Sequence, residues 1–231
     1  MKKFIHRDDV GDFEIPEIKV IDGKRFYVTP DGNSYPSITT VLSLQDKPGI
    51  DKWKIQVGEK EAKRISKEPM RIGTAVHQMA EFYLSNYIIK LKDEDKKIVD
   101  TFNRLRFLLG NINNIVGLEI PLFSDLLRVA GTCDCIAEYN GQLSVIDFKT
   151  SRKPKKEEWI DDYYMQTFAY KLMFEEMTGI EIQQIVILVA CVESFDVQVF
   201  KKPAKDADEW LEKLVKIMKA NPHVTGMHQP F

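Results

Sequence analysis

The chain has 231 residues, of which 44% are hydrophobic and 29% charged, and a formal net charge of −2. This length and composition are ordinary for a soluble globular protein with one substantial core. The net charge excludes bulk electrostatic coating of nucleic acid, but it leaves room for a local basic groove. No apolar stretch reaches the roughly 20 residues of a membrane span, so no membrane partner is expected.

The N-terminus and the cysteines predict a reducing, cytoplasmic setting. The first residues lack the apolar core of a signal peptide and are too acidic for an obvious transit peptide. Cys133, Cys135 and Cys191 fall in predicted strands, where free cysteine behaves as a small buried hydrophobe. Cys133-x-Cys135 is alternatively a pair of metal ligands, although zinc and iron–sulfur sites usually need four ligands.

The first half of the chain reads as a strand region followed by helices. Lys24–Val28 is a candidate strand, and a Ser/Thr cap opens a short helix over 36–42. The charged segment 51–67 predicts a surface helix. Apolar residues that recur every three to four positions predict further helices over 71–91 and 93–109.

Beyond residue 115 the apolar pattern becomes that of strands. Strands alternate with helices there, which together with the upstream helices predicts an α/β (α+β) fold with a mixed sheet. The elements in order are antiparallel strands over 115–123, 128–139 and 142–150, a helix over 155–177 closed by Gly179, strands over 184–193 and 197–200, and a helix over 204–220.

A hairpin at Asn140-Gly141 is predicted to bring two aspartates together. Asn-Gly between two β-rich runs is typical of a two-residue type I′ turn. Counting outward from the turn places Asp134 opposite Asp147, with Cβ atoms about 4.5–5.5 Å apart. Two carboxylates at that distance repel each other unless a proton or a cation lies between them.

The environment of this pair favours a metal ion. Apolar neighbours on both faces of the strands predict burial, with Cys133 and Cys135 together on the face away from the aspartates. Lys149, two residues after Asp147, shares the face of the aspartates and is available for charge on a substrate. This set predicts a metal-dependent hydrolase of phosphodiesters; the alternative is a pair of salt bridges to cations elsewhere.

Two upstream residues are further candidate metal ligands. Glu119 lies on the preceding strand, and whether it faces Asp134 depends on the number of residues in the turn over 124–127. His77 lies on a helix that contains small residues, which let a helix approach a sheet closely. The alternative for His77 is a surface or hydrogen-bonded histidine.

Other candidates concern the substrate. Gln166 and Tyr170 are one helical turn apart and point the same way; they either contact phosphate and hold Lys149, or belong to the core and helix surface. A run of cations after Lys149 suits a phosphate backbone, although such runs are usually solvated loops. The candidate DNA contacts are Arg71, Arg152, Lys153, Lys155 and Lys156.

Four motifs occur together in a fixed order. They are a helix with His77, then Gly131-x-x-Asp134, Asp147-Phe-Lys149-Thr150 and Gln166-x-x-x-Tyr170. In this combination, roughly residues 35–200 resemble the PD-(D/E)xK nuclease superfamily, and within it the RecB-type exonuclease branch. Asp-x-Lys alone is a weak signal, whereas the ordered set is fairly specific.

The resemblance implies a restriction-endonuclease-like core and a Mg²⁺- or Mn²⁺-dependent exonuclease that acts on single-stranded DNA ends. Asp134 and Asp147 would ligate the metal, with the Phe148 carbonyl, His77 and Glu119 as further ligands. Lys149 would orient water or stabilise charge, and a neighbouring metal would lower its pKa. Gln166 and Tyr170 complete the catalytic set.

The resemblance also implies a single nuclease domain. Its parts are an N-terminal region over 1–70, a catalytic core over 71–200 and a C-terminal helix and tail over 201–231. The absence of a cysteine quartet argues against iron–sulfur relatives. A bacterial protein, or a phage-encoded one in the host cytoplasm, is expected.

Three rival functions stay open. One is a structure-specific DNA endonuclease, and another is a non-catalytic DNA-binding module of the same fold. The third is a small-molecule phosphoesterase. The sequence carries no signal for the oligomeric state.

Overall fold

A five-stranded mixed sheet organises the computed structural model, which describes residues 2–11, 13–21, 24–46, 48–89 and 94–225. Its strands lie in chain order, and neighbours are antiparallel except β6 and β7, which run parallel. The predicted mixed sheet is therefore confirmed. The strands are β4 (Ile112–Ser124), β5 (Val129–Tyr139), β6 (Gln142–Ser151), β7 (Gln184–Cys191) and β8 (Val197–Pro203).

Helices cover both faces of this sheet, as the predicted fold class requires. The parallel step from β6 to β7 is made through a helix, because parallel neighbours need a crossover connection. None of the described helices combines the length and apolar character needed to cross a membrane. The helices are α1 (Ile38–Leu42), α2 (Pro48–Val57), α3 (Glu59–Leu84), α4 (Lys96–Leu109), α5 (Asp161–Thr178), α6 (Ala207–Ala220) and α7 (Pro222–Thr225).

The central hairpin is buried on both faces, as its sequence predicts. Ile136 and Val145 pack in one core with α5 and α6, whereas Cys135 and Ile146 pack in another with α3 and α4. The prediction that Cys133 and Cys135 share a face is wrong, because Cys133 belongs to the first core. Strict alternation fails there because the β4–β5 ladder is interrupted between these two cysteines.

The helices before the sheet differ from the prediction in their boundaries. The predicted break near residues 68–70 is absent, and α3 runs through Pro69. The break occurs at Gly58, whose φ of 82° ends the helical path of α2. The predicted end at residue 91 is also wrong, since α3 ends at Leu84 and Asn86 follows with a left-handed φ of 64°.

The helix predicted from Lys155 begins six residues later, at Asp161. The backbone N–H of Lys155 donates to Gln198 Oε1 at 2.7 Å, and its carbonyl accepts from Gln198 Nε2 at 2.8 Å. These bonds hold the segment against β8 in place of helical pairing. The predicted C-terminal signal is confirmed, because Gly179 caps α5 with φ 70°.

A second, three-stranded sheet precedes the helices. It consists of β1 (Glu17–Ile21), β2 (Lys24–Val28) and β3 (Ser34–Pro36), so the strand predicted over Lys24–Val28 is confirmed. Ser37 then caps α1 by accepting from the Thr40 N–H at 3.1 Å, as predicted. Ser37 also forms an isolated bridge to Ala130, which attaches the small sheet to β5.

Candidate metal centre and active site

The predicted register of the central hairpin is confirmed up to the last backbone pair. Asn140 and Gly141 have φ values of 53° and 79°, as a type I′ turn requires. The ladder ends at the pair Cys135–Ile146. One step further on, Asp134 does not pair through its backbone; its Oδ2 accepts a hydrogen bond from the Phe148 N–H at 2.7 Å.

Glu119 lies opposite Asp134 on the neighbouring strand. The flanking pairs Leu118–Cys135 and Ile120–Cys133 fix this register, while Glu119 itself has a left-handed φ of 49°. The local twist turns its carboxylate into the site. Glu119 therefore lies on the same side as Asp134, which the sequence left open.

His77 reaches the same place from α3. A Cβ on Gly73 would lie 3.2 Å from Thr150 Oγ1, so the glycine allows the helix to pass close to β6. His77 Nδ1 is 3.6 Å from Asp134 Oδ2. Ligand atoms of His77, Glu119 and Asp134 all lie within 4.8 Å of one another, and we call these three residues the ligand cluster.

Asp147 is almost completely buried and is paired with Lys149. Its exposed fraction is 1%, and its Oδ2 forms an ion pair with Lys149 Nζ. Asp147 Oδ1 has no hydrogen-bond partner among the described residues. The lysine also lies over the Tyr163 ring, with Nζ 5.3 Å from the centroid. The alternative was a pair of salt bridges to cations elsewhere, whereas the ion pair of Asp147 is with Lys149 of the same motif.

The electrostatics of the site are those of crowded acids. Burial, followed by the negative charge of Asp134, raises the pKa of Glu119 to about 7. Burial also raises the pKa of Asp147, against the opposing effect of Lys149. Burial by itself lowers the pKa of Lys149, but the charges of Asp147 and Asp134 outweigh it and raise this pKa. The neighbouring carboxylates therefore raise the pKa of Lys149, whereas a bound metal ion was expected to lower it.

Gln166 and Tyr170 project from α5 toward β5. Gln166 Nε2 donates to Tyr170 Oη at 3.1 Å. A Cβ on Gly131 would lie 2.6 Å from Tyr170 Cε1, so the glycine of the Gly-x-x-Asp motif makes room for the tyrosine. Burial raises the pKa of Tyr170 well above its usual value, which keeps the phenol neutral.

These residues share one cavity of ≈ 560 Å³, which we call the acidic cavity. The ligand cluster, Lys149, Gln166 and Tyr170 line it. Arg25, from β2, lines it as well and was not among the predicted site residues. No local pattern marks Arg25, because its position depends on how the small sheet docks.

None of the five predicted DNA-contacting cations lines the acidic cavity. Arg71 pairs with Asp95 at 2.5 Å, and Arg152 pairs with Glu193 at 3.2 Å. Lys156 lies 3.6 Å from Glu158 and above the Trp159 ring, and Lys153 is exposed. Their role in DNA binding stays a prediction.

The donor set fits a hard divalent cation. Mg²⁺ and Mn²⁺ prefer carboxylate oxygens, with imidazole suiting the softer transition metals. The ligand cluster offers two carboxylates and one imidazole, and burial together with the charge of Asp134 raises the pKa of Glu119. Asp147 Oδ1 is a further buried oxygen without a hydrogen-bond partner among the described residues, but Asp147 belongs neither to the ligand cluster nor to the lining of the acidic cavity.

Comparison with known proteins agrees with this geometry. A family model described as the PD-(D/E)XK nuclease superfamily matches residues 87–230. The chain belongs to this superfamily. The match spans α4 to α7 and therefore includes Asp134, Asp147 and Lys149, whereas the N-terminal sheet of this PD-(D/E)XK protein lies outside it. The predicted single domain and its boundaries stay a prediction.

Curated relatives of this PD-(D/E)XK protein carry the name mitochondrial genome maintenance exonuclease 1. The human protein is 31% identical over 132 residues, which are 53% of this chain and 38% of the relative. The Xenopus tropicalis protein is 26% identical over 176 residues, or 73% of this chain and 48% of the relative. The aligned part of the chain thus spans less than half the length of either relative.

A solved structure from Eubacterium rectale also aligns with the chain. It covers 70% of this chain and 69% of its own, at 14% identity and a TM-score of 0.48. This likeness is too distant to bear on function.

Proposed function

We propose that this PD-(D/E)XK protein is a divalent-metal-dependent deoxyribonuclease, and more narrowly an exonuclease that acts on single-stranded DNA ends in replication, repair or recombination. One observation carries the proposal. A three-residue ligand cluster lines one acidic cavity together with Lys149, whose amine is paired with the buried Asp147. The family supports nuclease chemistry, and the names of the curated relatives support the exonuclease mode.

Asp134 and Glu119 would hold the cation, with His77 and Asp147 Oδ1 as further donors. When bound, a Mg²⁺ or Mn²⁺ ion supplies positive charge that polarises water and neutralises charge on the reacting phosphate. The Phe148 N–H holds Asp134 Oδ2 at 2.7 Å, which fixes the orientation of this carboxylate before any ligand binds. Fixed ligands lose little freedom on binding.

Lys149 would act on the phosphodiester. Its ion pair with Asp147 keeps the amine charged and anchored, since nearby negative charge raises its pKa. A charged amine donates hydrogen bonds and stabilises the negative charge that develops on the phosphoryl oxygens. Lys149 thus serves as an electrostatic stabiliser and orients water by hydrogen bonding.

Gln166 and Tyr170 would contact the substrate from α5. Both side chains line the acidic cavity, and their mutual hydrogen bond leaves the second amide hydrogen of Gln166 for a phosphate or sugar oxygen. The neutral phenol of Tyr170 can donate its own hydrogen in the same way. These contacts position the strand beside Lys149.

A digestion assay tests the proposal. Wild type, Asp147→Asn and Lys149→Met are incubated with 5′- and 3′-labelled single- and double-stranded DNA and Mg²⁺ or Mn²⁺. Both variants should lose at least about 100-fold in kcat, because Lys149→Met removes a positive charge beside the reacting phosphate and Asp147→Asn removes a proposed metal donor and the partner of Lys149. Asp208→Asn on α6 and Lys205→Ala, both exposed, are the matched controls and should keep wild-type rates. Wild-type turnover in Lys149→Met would contradict the assignment.

The same assay separates the rivals. Cutting of circular single-stranded DNA would identify an endonuclease instead of an end-dependent exonuclease. DNA binding unaffected by EDTA, without cleavage in Mn²⁺, would identify a non-catalytic module. Release of phosphate from small esters, unaffected by DNA, would identify a phosphoesterase.

A further inference from the structure

Arg25 is a cation at the rim of the acidic cavity that forms no ion pair with a carboxylate of the described chain. It lines the cavity together with Glu119 and Asp134. Within the described part of the chain its guanidinium donates a weak hydrogen bond, from Nη1 to Tyr27 Oη at 3.5 Å. The predicted cations Arg71 and Arg152 differ, because each is neutralised by a carboxylate.

The position of Arg25 is fixed through Tyr27. The two residues are two apart on β2 and therefore share one face. Tyr27 is fully buried, and its Oη lies 3.0 Å from Thr132 Oγ1 on β5, two residues before Asp134. Tyr27 also packs with Ala130 of β5. The small sheet thus holds Arg25 in register with the strand that carries Asp134.

The positive charge of Arg25 influences Glu119 although the two side chains form no ion pair. It is among the influences that lower the pKa of Glu119, although burial and Asp134 dominate and leave that pKa raised. The guanidinium is exposed and keeps its donors available. A planar fork of N–H donors with no carboxylate partner matches two oxygens of a phosphate.

We propose that Arg25 binds a phosphate of the DNA strand that lies in the acidic cavity, across from Lys149. The inference rests on the proposed function and adds a substrate-binding residue to it. Residue 25 lies outside the residues 87–230 that match the family model, so this contact belongs to the N-terminal sheet and not to the matched core. The sheet then serves to complete the substrate site.

Kinetics on a short single-stranded oligodeoxynucleotide with saturating Mn²⁺ test the contact. Arg25→Gln should raise KM on the order of tenfold with a smaller change in kcat, and lower the salt dependence of log KM by about one charge. Lys19→Gln is the matched control, since Lys19 lies on β1 of the same sheet, opposite Phe26 and thus on the other face. It removes the same charge and should leave KM and kcat unchanged.

A substrate scan locates the phosphate. Oligodeoxynucleotides carry one neutral methylphosphonate linkage at successive positions from the cleaved end. At one position the neutral linkage should raise the KM of wild type but not the KM of Arg25→Gln, because the two changes remove the same interaction. Equal effects of every linkage on both proteins would overturn the inference.

Other outcomes also decide. If Arg25→Gln strengthens Mn²⁺ binding while KM at saturating Mn²⁺ is unchanged, Arg25 only offsets the negative charge of the acids and the inference fails. If Arg25→Gln does not fold, Arg25→Lys takes its place. This variant should fold and show an intermediate KM, because the positive charge remains but the planar guanidinium does not. A wild-type KM in Arg25→Lys, together with an unchanged methylphosphonate scan, would then overturn the inference. A wild type that cleaves no DNA would overturn the proposed function instead.

Discussion

Asp134 Oδ2 accepts a hydrogen bond from the Phe148 backbone N–H, 2.7 Å away, at the point where the β5–β6 ladder stops. A side chain thus replaces the backbone pair that would have come next. The bond holds the Asp134 carboxylate against the backbone of β6 in a fixed orientation. Asp134 therefore lies where the β5–β6 ladder ends, whereas Asp147 still pairs with Ile187 in the β6–β7 ladder.

Two substitutions of Asp134 should separate its structural role from its metal-binding role. Asn keeps an acceptor for the Phe148 N–H and removes the charge, whereas Ala removes both. We expect Asp134→Ala to be less stable to urea than Asp134→Asn by about 1 kcal/mol, the typical net contribution of a hydrogen bond. Both should be inactive. Equal stability of the two variants would show that the bond contributes nothing.

The buried Asp147–Lys149 pair should dominate stability at this end of the sheet. Lys149→Met leaves a buried carboxylate without its cation, so we expect a loss of about 3 kcal/mol at pH 8. Without the lysine the pKa of Asp147 rises further, and the loss should shrink as the pH falls and Asp147 takes up a proton. Urea unfolding at pH 5.5 and 8 measures both effects.

The matched variants make this result specific. Asp147→Asn/Lys149→Met should recover most of the lost stability at pH 8, because no buried charge remains. Lys97→Met breaks an exposed ion pair with Glu68 and should stay close to wild type. If the loss of stability in Lys149→Met did not depend on pH, lost packing and not the unpaired charge would be its cause.

Glu119 should make the metal-free protein less stable as the pH rises. Its pKa is raised from 4.5 to about 7 by burial and by Asp134, so the folded state holds a proton that the unfolded state releases first. Stability from this group is present below about pH 4.5 and is lost as the pH rises through about 7. In EDTA, Glu119→Gln should therefore exceed wild type at pH 8 by on the order of 1 kcal/mol, after discounting for partial solvation.

Mn²⁺ provides the control for Glu119. If the carboxylate is a metal ligand, saturating Mn²⁺ should stabilise wild type more than Glu119→Gln and reverse their order at pH 8. Thermal unfolding at fixed pH with increasing Mn²⁺ measures this reversal. An identical Mn²⁺ response in the two proteins would remove Glu119 from the ligand set.

Gly131 should be intolerant of a methyl group because of Tyr170. A Cβ at Gly131 would lie 2.6 Å from Tyr170 Cε1 and 3.1 Å from Ile38 Cγ2, so the ring or the strand must move. We expect Gly131→Ala to cost about 1–3 kcal/mol and to lower activity through displacement of Tyr170. In a Tyr170→Leu background the same change should cost less, which urea titrations can measure. Gly49→Ala, which meets nothing within 4 Å, is the control.

Local patterns were sufficient for much of the fold and part of the site. Asn140-Gly141 predicted the turn and with it the register to Cys135–Ile146, since turn type fixes hairpin pairing. The helix boundaries near residues 58 and 155 were wrong, because backbone conformation at Gly58 and the contacts of Lys155 with Gln198 overrode the local signal. The direction of Glu119 stayed open because one left-handed residue decides it.

What the sequence determined by itself was the short-range chemistry: the Asp-x-Lys spacing that pairs Asp147 with Lys149, and the hairpin that carries Asp134. The tertiary structure alone decided which distant groups meet them. His77 arrives because Gly73 lets α3 pass close to β6, and Arg25 arrives because Tyr27 anchors a separate sheet on β5. These contacts depend on packing between elements that are far apart in the chain. The residue pattern within a single element therefore cannot predict them.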